Sequence, residues 1–213
     1  MMEKGLPPGW IQANVESLGE FINGFAFKPD DWVGHGMPII RIQNLTDPDK
    51  PLNRTGRSVD DKYVVERGDI LVSWSATLDA FKWKGASAYL NQHIFKVVPE
   101  TELDSEFVYF ALKEAIQELV NSEYLHGTTM KHINRKPFLA HPVPLPPLNE
   151  QRRIVEKLET LFARLDQGEA ALHAVQTLLE RYRQSVLKAA VTGQLTADSV
   201  SYTHLTLPTK RIV

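Results

Sequence analysis

An apolar repeat in the last third of the chain limits most strongly what this protein can fold into. Beyond the proline-rich stretch at 142–147, apolar residues recur at alternating steps of four and three residues. This spacing is the heptad pattern of a helix that packs along one seam against another helix. The seam positions are Ile154, Leu158, Leu161, Leu165, Gly168, Leu172, Val175, Leu179, Tyr182, Val186 and Ala189.

The heptads predict one helix over 149–191, with Asn149 as its N-cap. At 1.5 Å per residue this helix is about 64 Å long, which is longer than any surface that a domain of this size can offer. The seam therefore indicates that a second long helix covers it. A single amphipathic helix lying on its own domain is the weaker alternative. Gly168 interrupts the seam and marks a close helix approach or a kink, because glycine costs about 1 kcal/mol relative to alanine inside a helix.

The residues before the prolines are typical of a domain that mixes strands and helices. Short β-prone runs separated by proline and glycine predict strands at 38–42, 70–74 and 93–98. The second of these runs can form a hairpin with 81–85. A wide apolar stripe at helical spacing follows, and Asp104 precedes it as a candidate N-cap.

The fold class that follows from these patterns is α+β. We predict a β-rich domain with a mixed or antiparallel sheet and packed helices over 1–147. One long coiled-coil helix follows over 148–193, and a disordered or extraneous tail over 194–213. Residues 199–213 continue neither the strand pattern nor the heptads, so we interpret them as foreign sequence.

The composition excludes several classes of protein. The 213 residues include no cysteine, which excludes disulfides, cysteine-ligated zinc and thiol catalysis. No apolar run approaches the roughly 18 residues of a membrane span. The first residues contain no apolar signal core, so we expect a cytoplasmic protein without a membrane partner.

Motifs of common enzymes are missing from the sequence. We find no G-x-G-x-x-G, Walker A, H-E-x-x-H or G-x-S-x-G pattern and no N/D-P-P-Y/F motif of a methyltransferase. Asp60-Asp61-Lys62 is the one hint of a nuclease, although such a polar turn is more often solvated. The alternatives therefore are a metal-dependent DNA endonuclease or part of a self-contained DNA methyltransferase. A plain coiled-coil adaptor is a third possibility.

Charge is distributed unevenly along the chain. Residues 1–148 carry 15 Lys and Arg against 19 Asp and Glu, yet the windows 80–99 and 124–149 contain no acid. Basic side chains there can hold phosphates, and amide or hydroxyl side chains can reach base edges. The opposing interpretation is that these residues only face water.

The DNA-binding candidates come from these two windows. The first window contributes one patch, Lys82, Lys84, Asn91, Gln92 and His93. The second contributes Lys131, Arg135 and Lys136 as phosphate ligands, and Thr128, Thr129, His132 and Asn134 as candidates near bases or sugars. We predict no catalytic residue and no metal ligand.

An ordered set of motifs resembles the specificity (S) subunit of type I restriction–modification systems. The strongest is the junction PLPPLNEQRRIV, which leads into the long heptad helix. The matching segments are LPPGW at 6–10, PIIRIQNL at 38–45, GDILVSWSATL at 68–78, LNQHIFKV at 90–97, GTTMKHINRKPF at 127–138, PVPLPPLNEQRRIVEKLE at 142–159 and AAVTGQLT at 189–196.

The resemblance implies a non-catalytic, sequence-specific subunit. Its target-recognition domain, here 1–147, reads one half of a bipartite site in double-stranded DNA, and its long helices pair antiparallel as a spacer. Methyltransferase (M) subunits bind it and bring S-adenosylmethionine, and restriction (R) subunits join with ATP and Mg, so this chain itself holds no cofactor.

The resemblance covers one recognition domain and one helical region, whereas S subunits have two of each. The chain is therefore expected to be a half-subunit or an N-terminal fragment, and its tail favours the fragment. Its helix would pair with a second copy or with a second helical region of the same chain. We expect Gln151, Arg152 and Arg153 to offer surface to the M subunits.

Overall fold

The computed structural model describes residues 5–121 and 134–197. Contacts divide the chain into two compact units, Met1–Lys157 and Leu158–Val213. The predictions for Thr128, Thr129, Lys131 and His132 lie outside the described residues, as does the interpretation of 199–213.

Two four-stranded sheets build the first unit. The antiparallel sheet has the order β2-β9-β6-β7, and the mixed sheet has the order β4-β3-β8-β5, in which β3 and β8 are parallel. The strands are β1 (Ile11–Asn14), β2 (Gly19–Asn23), β3 (Met37–Ile40), β4 (Asn53–Thr55), β5 (Val64–Val65), β6 (Ile70–Ser73), β7 (Asp79–Lys82), β8 (Ala88–Leu90), β9 (Ile94–Pro99) and β10 (Pro142–Leu145).

Within the described residues, four α-helices accompany the sheets. They are α1 (Ile42–Thr46), α2 (Ser105–Asn121), α3 (Arg135–Leu139) and α4 (Leu148–Val191). Short 3-10 turns lie at Val15–Leu18, Pro29–Asp31, Asp61–Tyr63 and Gln194–Thr196. These elements confirm the predicted α+β class with its long C-terminal helix. The predicted hairpin is also present, because β6 and β7 pair antiparallel.

The main core lies between the antiparallel sheet and α2. Asp104 caps α2 as predicted, since its carboxylate accepts the backbone N–H groups of Glu106 and Phe107 at 3.0 and 3.1 Å. Phe138, which the sequence did not indicate, is almost fully buried here, with its ring stacked on Phe95. Burial of such aromatic rings is a large part of what stabilises a small domain.

The proline-rich stretch is extended. It forms β10, which pairs antiparallel with β1 in a two-stranded ribbon. A strand with a single neighbour tolerates proline, because its free edge needs no N–H donor. The ribbon leads directly into α4.

Helix α4 contains 44 residues and runs through Gly168 without a break. In the second unit its seam is exposed to solvent, with Leu165 at 67%, Leu172 at 72% and Tyr182 at 67%. At its start, Gln151 is only 1% exposed. The expectation that Gln151 offers surface to a partner is therefore wrong, whereas Arg152 and Arg153, which were expected to act with it, are exposed. None of the helices in the described ranges is both long and apolar enough to cross a membrane.

Candidate nucleic-acid interface

Polar side chains gather where β3, β6 and β8 end. Because β3 and β8 are parallel, with Ile40 opposite Leu90, the residues that follow them, Arg41 and Asn91, lie side by side. The backbone N–H of Asn91 donates to the carbonyl of Ile40 at 3.1 Å. Strand β6 ends beside them, since the N–H of Trp74 donates to the carbonyl of His93 at 3.3 Å.

The turn formed by Asn91, Gln92 and His93 is fixed by backbone contacts. The N–H of Gln92 donates to the carbonyl of Phe25 at 2.9 Å. Gly24 permits this approach, because a Cβ there would lie 2.0 Å from the carbonyl oxygen of Asn91. His93 adopts φ of +73°, a left-handed conformation that is uncommon for a residue with a side chain and often marks functional loops.

A row of rings connects this turn to the second acid-free window. The rings of Trp74 and His93 have centroids 4.8 Å apart, and Trp74 lies 6.0 Å from Phe95. The guanidinium of Arg135, at the start of α3, lies 5.4 Å from the centre of the Phe95 ring. Two segments distant in sequence thus meet on one side of the domain. We name the set Trp74, Asn91, Gln92, His93 and Arg135 the strand-end edge.

Two buried polar atoms of the strand-end edge lack protein partners. Within 5–121 and 134–197, the indole N–H of Trp74 and the side-chain oxygen of Asn91 have no hydrogen-bond partner. Such atoms are rare in folded proteins, since each costs about 1–3 kcal/mol. Their presence at neighbouring residues is consistent with a site rather than with ordinary core packing.

A comparison with known families decides what kind of domain this is. A sequence model described as the type I restriction modification DNA specificity domain matches residues 7–174. The chain belongs to this family.

Curated relatives of this specificity domain agree with the assignment. The chain is 33% identical over 196 residues to the type I restriction enzyme EcoBI specificity subunit of Escherichia coli, covering 91% of this chain and 41% of the relative. It is 27% identical to the EcoKI specificity subunit of Escherichia coli K12, covering 90% and 44%. The chain thus spans less than half the length of these relatives. Both relatives are named specificity subunits of type I restriction enzymes, which agrees with the family that the sequence model assigns.

Solved structures share the fold of the specificity domain. The HsdS subunit from Thermoanaerobacter tengcongensis superposes with a TM-score of 0.66 at 22% identity, covering 88% of this chain and 46% of that one. A chain from a structure on the assembly and conformational transition of a type I R-M system gives a TM-score of 0.68 at 22% identity, covering 88% and 47%.

The structure separates two lysines from the candidates with which the sequence had grouped them. In this specificity domain Lys82 pairs with Ile70, the first residue of β6, whereas the strand-end edge lies beyond Ser73, the last residue of β6. Ile70 and Ser73 are about 10 Å apart along the strand. The Lys82 ammonium also forms an ion pair with Glu106. Lys84 is exposed just beyond the same end. The single patch expected from the first window is therefore two separate surfaces, and only Asn91, Gln92 and His93 reach the strand-end edge.

The described candidates of the second window lie at α3. Arg135 follows Asn134, the N-cap residue of α3, and its guanidinium also donates to the carbonyl of Phe21 at 3.4 Å. Asn134 and Lys136 are exposed on either side of it. Sequence reasoning missed Trp74 and Arg41 because Asp79 and Asp47 follow them closely in sequence, which placed both outside the acid-free windows.

The residues proposed for a nuclease have a structural explanation. The carboxylate of Asp60 caps a 3-10 turn and accepts the backbone N–H of Lys62 at 3.0 Å. This hydrogen bond holds the pKa of Asp60 below its ordinary value. The part of the chain that the structure describes contains no group of three His, Asp or Glu side chains placed to hold a metal ion.

Proposed function

We propose that this specificity domain reads one half-site of a bipartite DNA target through its strand-end edge. The observation that carries the proposal is the convergence of the Asn91–His93 turn with Arg135, from two acid-free segments, at one end of both sheets. A rigid turn of amide and imidazole side chains is suited to a groove of DNA, since those groups match base-edge donors and acceptors.

The roles follow from the chemistry of the side chains. Gln92 supplies an amide of the kind that binds adenine in bidentate geometry, and Asn91 and His93 extend the polar row beside it. Arg135 and Lys136 carry positive charge and contact phosphates. Such contacts fix the register of the protein on the duplex. Thr128, Thr129, Lys131, His132 and Asn134 belong to the same proposal on sequence grounds. Lys82 and Lys84 are left out, since they lie at the opposite end of the sheet.

Selection from a pool of randomised duplexes tests this proposal. The wild-type chain is expected to enrich one short sequence. Gln92→Ala is expected to lose about 5- to 150-fold in preference at one base pair, the equivalent of 1–3 kcal/mol. Arg135→Ala is expected to weaken binding to every duplex by a similar factor.

Arg67→Gln is the control, because Arg67 lies in the turn before β6, at the end opposite to the strand-end edge. It is expected to bind like wild type on the enriched duplex. Equal binding of every duplex by the wild-type chain would contradict the proposal.

Helix α4 is proposed to set the distance between two half-sites. At 1.5 Å per residue its 44 residues span about 66 Å, and the exposed apolar seam requires a second helix to cover it. The partner is a second copy of this chain or a second helical region of a longer chain. Leu172→Glu is expected to abolish the pairing, measured by sedimentation. The control Glu180→Gln, at an exposed position away from the seam, is expected to leave it unchanged. A chain that sediments as a monomer before mutation would contradict pairing with a second copy.

The remaining partners are proposed from the family. Methyltransferase subunits would bind this chain, with exposed Arg152 and Arg153 at the start of α4 as contact residues, and restriction subunits would join that complex. S-adenosylmethionine, ATP and Mg would be bound by those partners. Such a complex acts on chromosomal DNA, which supports a cytoplasmic location. Co-purification with a methyltransferase subunit, lost in the double charge reversal of Arg152 and Arg153, tests the contact.

A further inference from the structure

Arg41 stands beside the strand-end edge in an unusual setting. It follows β3 directly and is the neighbour of Asn91 across the parallel pair of β3 and β8. Its guanidinium lies 5.1 Å from the centre of the Trp32 ring. Trp32 itself is 37% exposed, so a large aromatic ring faces solvent and supports a cation on its face.

The backbone of Arg41 is held by hydrogen bonds, whereas its guanidinium has no carboxylate partner among the described residues. The N–H of Arg41 donates to the side-chain oxygen of Asn44 at 3.1 Å, and its carbonyl accepts the N–H of Asn44 at 2.8 Å. Among residues 5–121 and 134–197, no carboxylate lies within ion-pair distance of the Arg41 guanidinium. Arg57, Lys96 and Lys113 behave differently, because each pairs with an aspartate at 2.8–3.1 Å.

A guanidinium held over an aromatic ring, without a carboxylate partner among the described residues, is suited to one class of ligand. The Trp32 ring, whose centre lies 5.1 Å from the guanidinium carbon, supports the charge through its π face, and a guanidinium presents paired N–H donors that match a phosphate in bidentate geometry. Contact with the ring also reduces the side-chain freedom that Arg41 would lose when it binds an anion. The pair Trp32–Arg41 is therefore preorganised for a phosphodiester group.

We propose that Arg41, held on Trp32, binds a backbone phosphate that flanks the bases contacted by the Asn91–His93 turn. This inference rests on the proposed function and adds an anchor that neither acid-free window contains. Neighbouring strands lie about 4.8 Å apart, and the major groove is about 12 Å wide. When the Asn91–His93 turn enters the groove, Arg41 on the neighbouring strand therefore lies close to the phosphates that border the groove.

Salt-dependent DNA binding by the full chain tests the anchor. Fluorescence anisotropy is measured from about 50 to 200 mM salt on the duplex enriched by selection and on a scrambled duplex. Arg41→Gln is expected to lower the magnitude of the slope of log K against log salt by about 0.9. Affinity should fall about tenfold on both duplexes alike. Trp32→Phe is expected to lose less than Trp32→Ala, because phenylalanine retains a weaker cation–π face.

Arg67→Gln is the matched control, since it removes the same charge at the opposite end of the domain and should leave the slope unchanged. An unchanged slope in Arg41→Gln, with wild-type sequence preference intact, overturns the anchor and leaves the proposed function standing. A loss confined to one base pair also overturns it, because Arg41 would then read a base. If the wild-type chain binds duplexes without preference, or binds none, both proposals fail. Circular dichroism of each variant confirms that the fold is retained.

Discussion

Replacing Gln151 by leucine tests how the start of α4 is attached to the recognition domain. The buried side-chain oxygen of Gln151 accepts the backbone N–H of Asp104 at 2.9 Å, and its amide nitrogen donates to the carbonyl of Pro146 at 2.9 Å. One side chain thereby joins the N-terminus of α2, the end of the proline ribbon and the first turn of α4.

The magnitude follows from these two hydrogen bonds. Leucine has a similar volume, so Gln151→Leu conserves packing but leaves one backbone donor and one backbone acceptor without a partner. Each costs about 1–3 kcal/mol when buried, and Asp104 is only partly buried. We therefore expect a total loss of about 2–4 kcal/mol. For a domain of roughly this size, 1 kcal/mol corresponds to about 2–4 °C, so the melting temperature should fall by about 5–15 °C.

Thermal unfolding followed by circular dichroism measures the effect, and urea unfolding supplies the free energy. Arg152→Leu is the control, because Arg152 is the exposed next residue of the same helix and its replacement should change stability by no more than about 0.5 kcal/mol. If Gln151→Leu unfolds at the wild-type temperature, the two hydrogen bonds do not hold the junction together and this reasoning is refuted.

Three further substitutions test the core, the Asn91–His93 turn and the loss of stability at acidic pH. Phe138→Ala should destabilise the domain by about 3–5 kcal/mol in urea unfolding, because it empties a ring-sized volume in the core; a loss under 1 kcal/mol would contradict the stacked packing. Gly24→Ala should displace the carbonyl of Asn91 and reduce sequence preference in the duplex selection, and unchanged preference would show that the turn does not read bases. Asp31→Asn should flatten the fall in stability below about pH 4. The backbone N–H of Lys28 holds the pKa of Asp31 below its ordinary value, so the carboxylate stabilises the folded state at neutral pH and this contribution disappears as pH drops through the folded-state pKa. An identical dependence of stability on pH in the variant would contradict a stabilising role of the Asp31 carboxylate.

Periodic patterns predicted the largest elements of the fold from sequence. The heptads predicted a helix over 149–191, against the observed Leu148–Val191, because a 4-3 repeat of apolar residues has few other solutions. The cap at Asp104 and the β6–β7 hairpin were also predictable, since both depend on neighbours in sequence.

Tertiary partners explain what the sequence did not show. Phe138 was overlooked because it stands in a short segment without apolar periodicity, and its burial arises from rings contributed by distant strands. Gln151 stands in a polar, charged segment, yet two backbone groups from other elements draw it into the interior. Polar residues are seldom buried without such partners.

The candidate site was only partly predictable for the same reason. Acid-free windows measure charge along the chain, whereas Lys82 meets its acid, Glu106, through the packing of α2 on β7. The windows nevertheless contained Asn91, Gln92, His93 and Arg135. Trp74 and Arg41 required knowledge of which strands are neighbours, and the parallel pairing of β3 with β8 is a long-range feature that local patterns do not specify.

Photo-crosslinking from defined positions tests most directly whether the strand-end edge faces DNA. A benzophenone amino acid is placed at Gln92, and in a second protein at Arg67, and each is irradiated with the duplex enriched by selection. The account predicts that the probe at Gln92 crosslinks to bases within the enriched sequence and that the probe at Arg67 gives no crosslink. A crosslink from Arg67 alone, or equal yields from both positions, would contradict it.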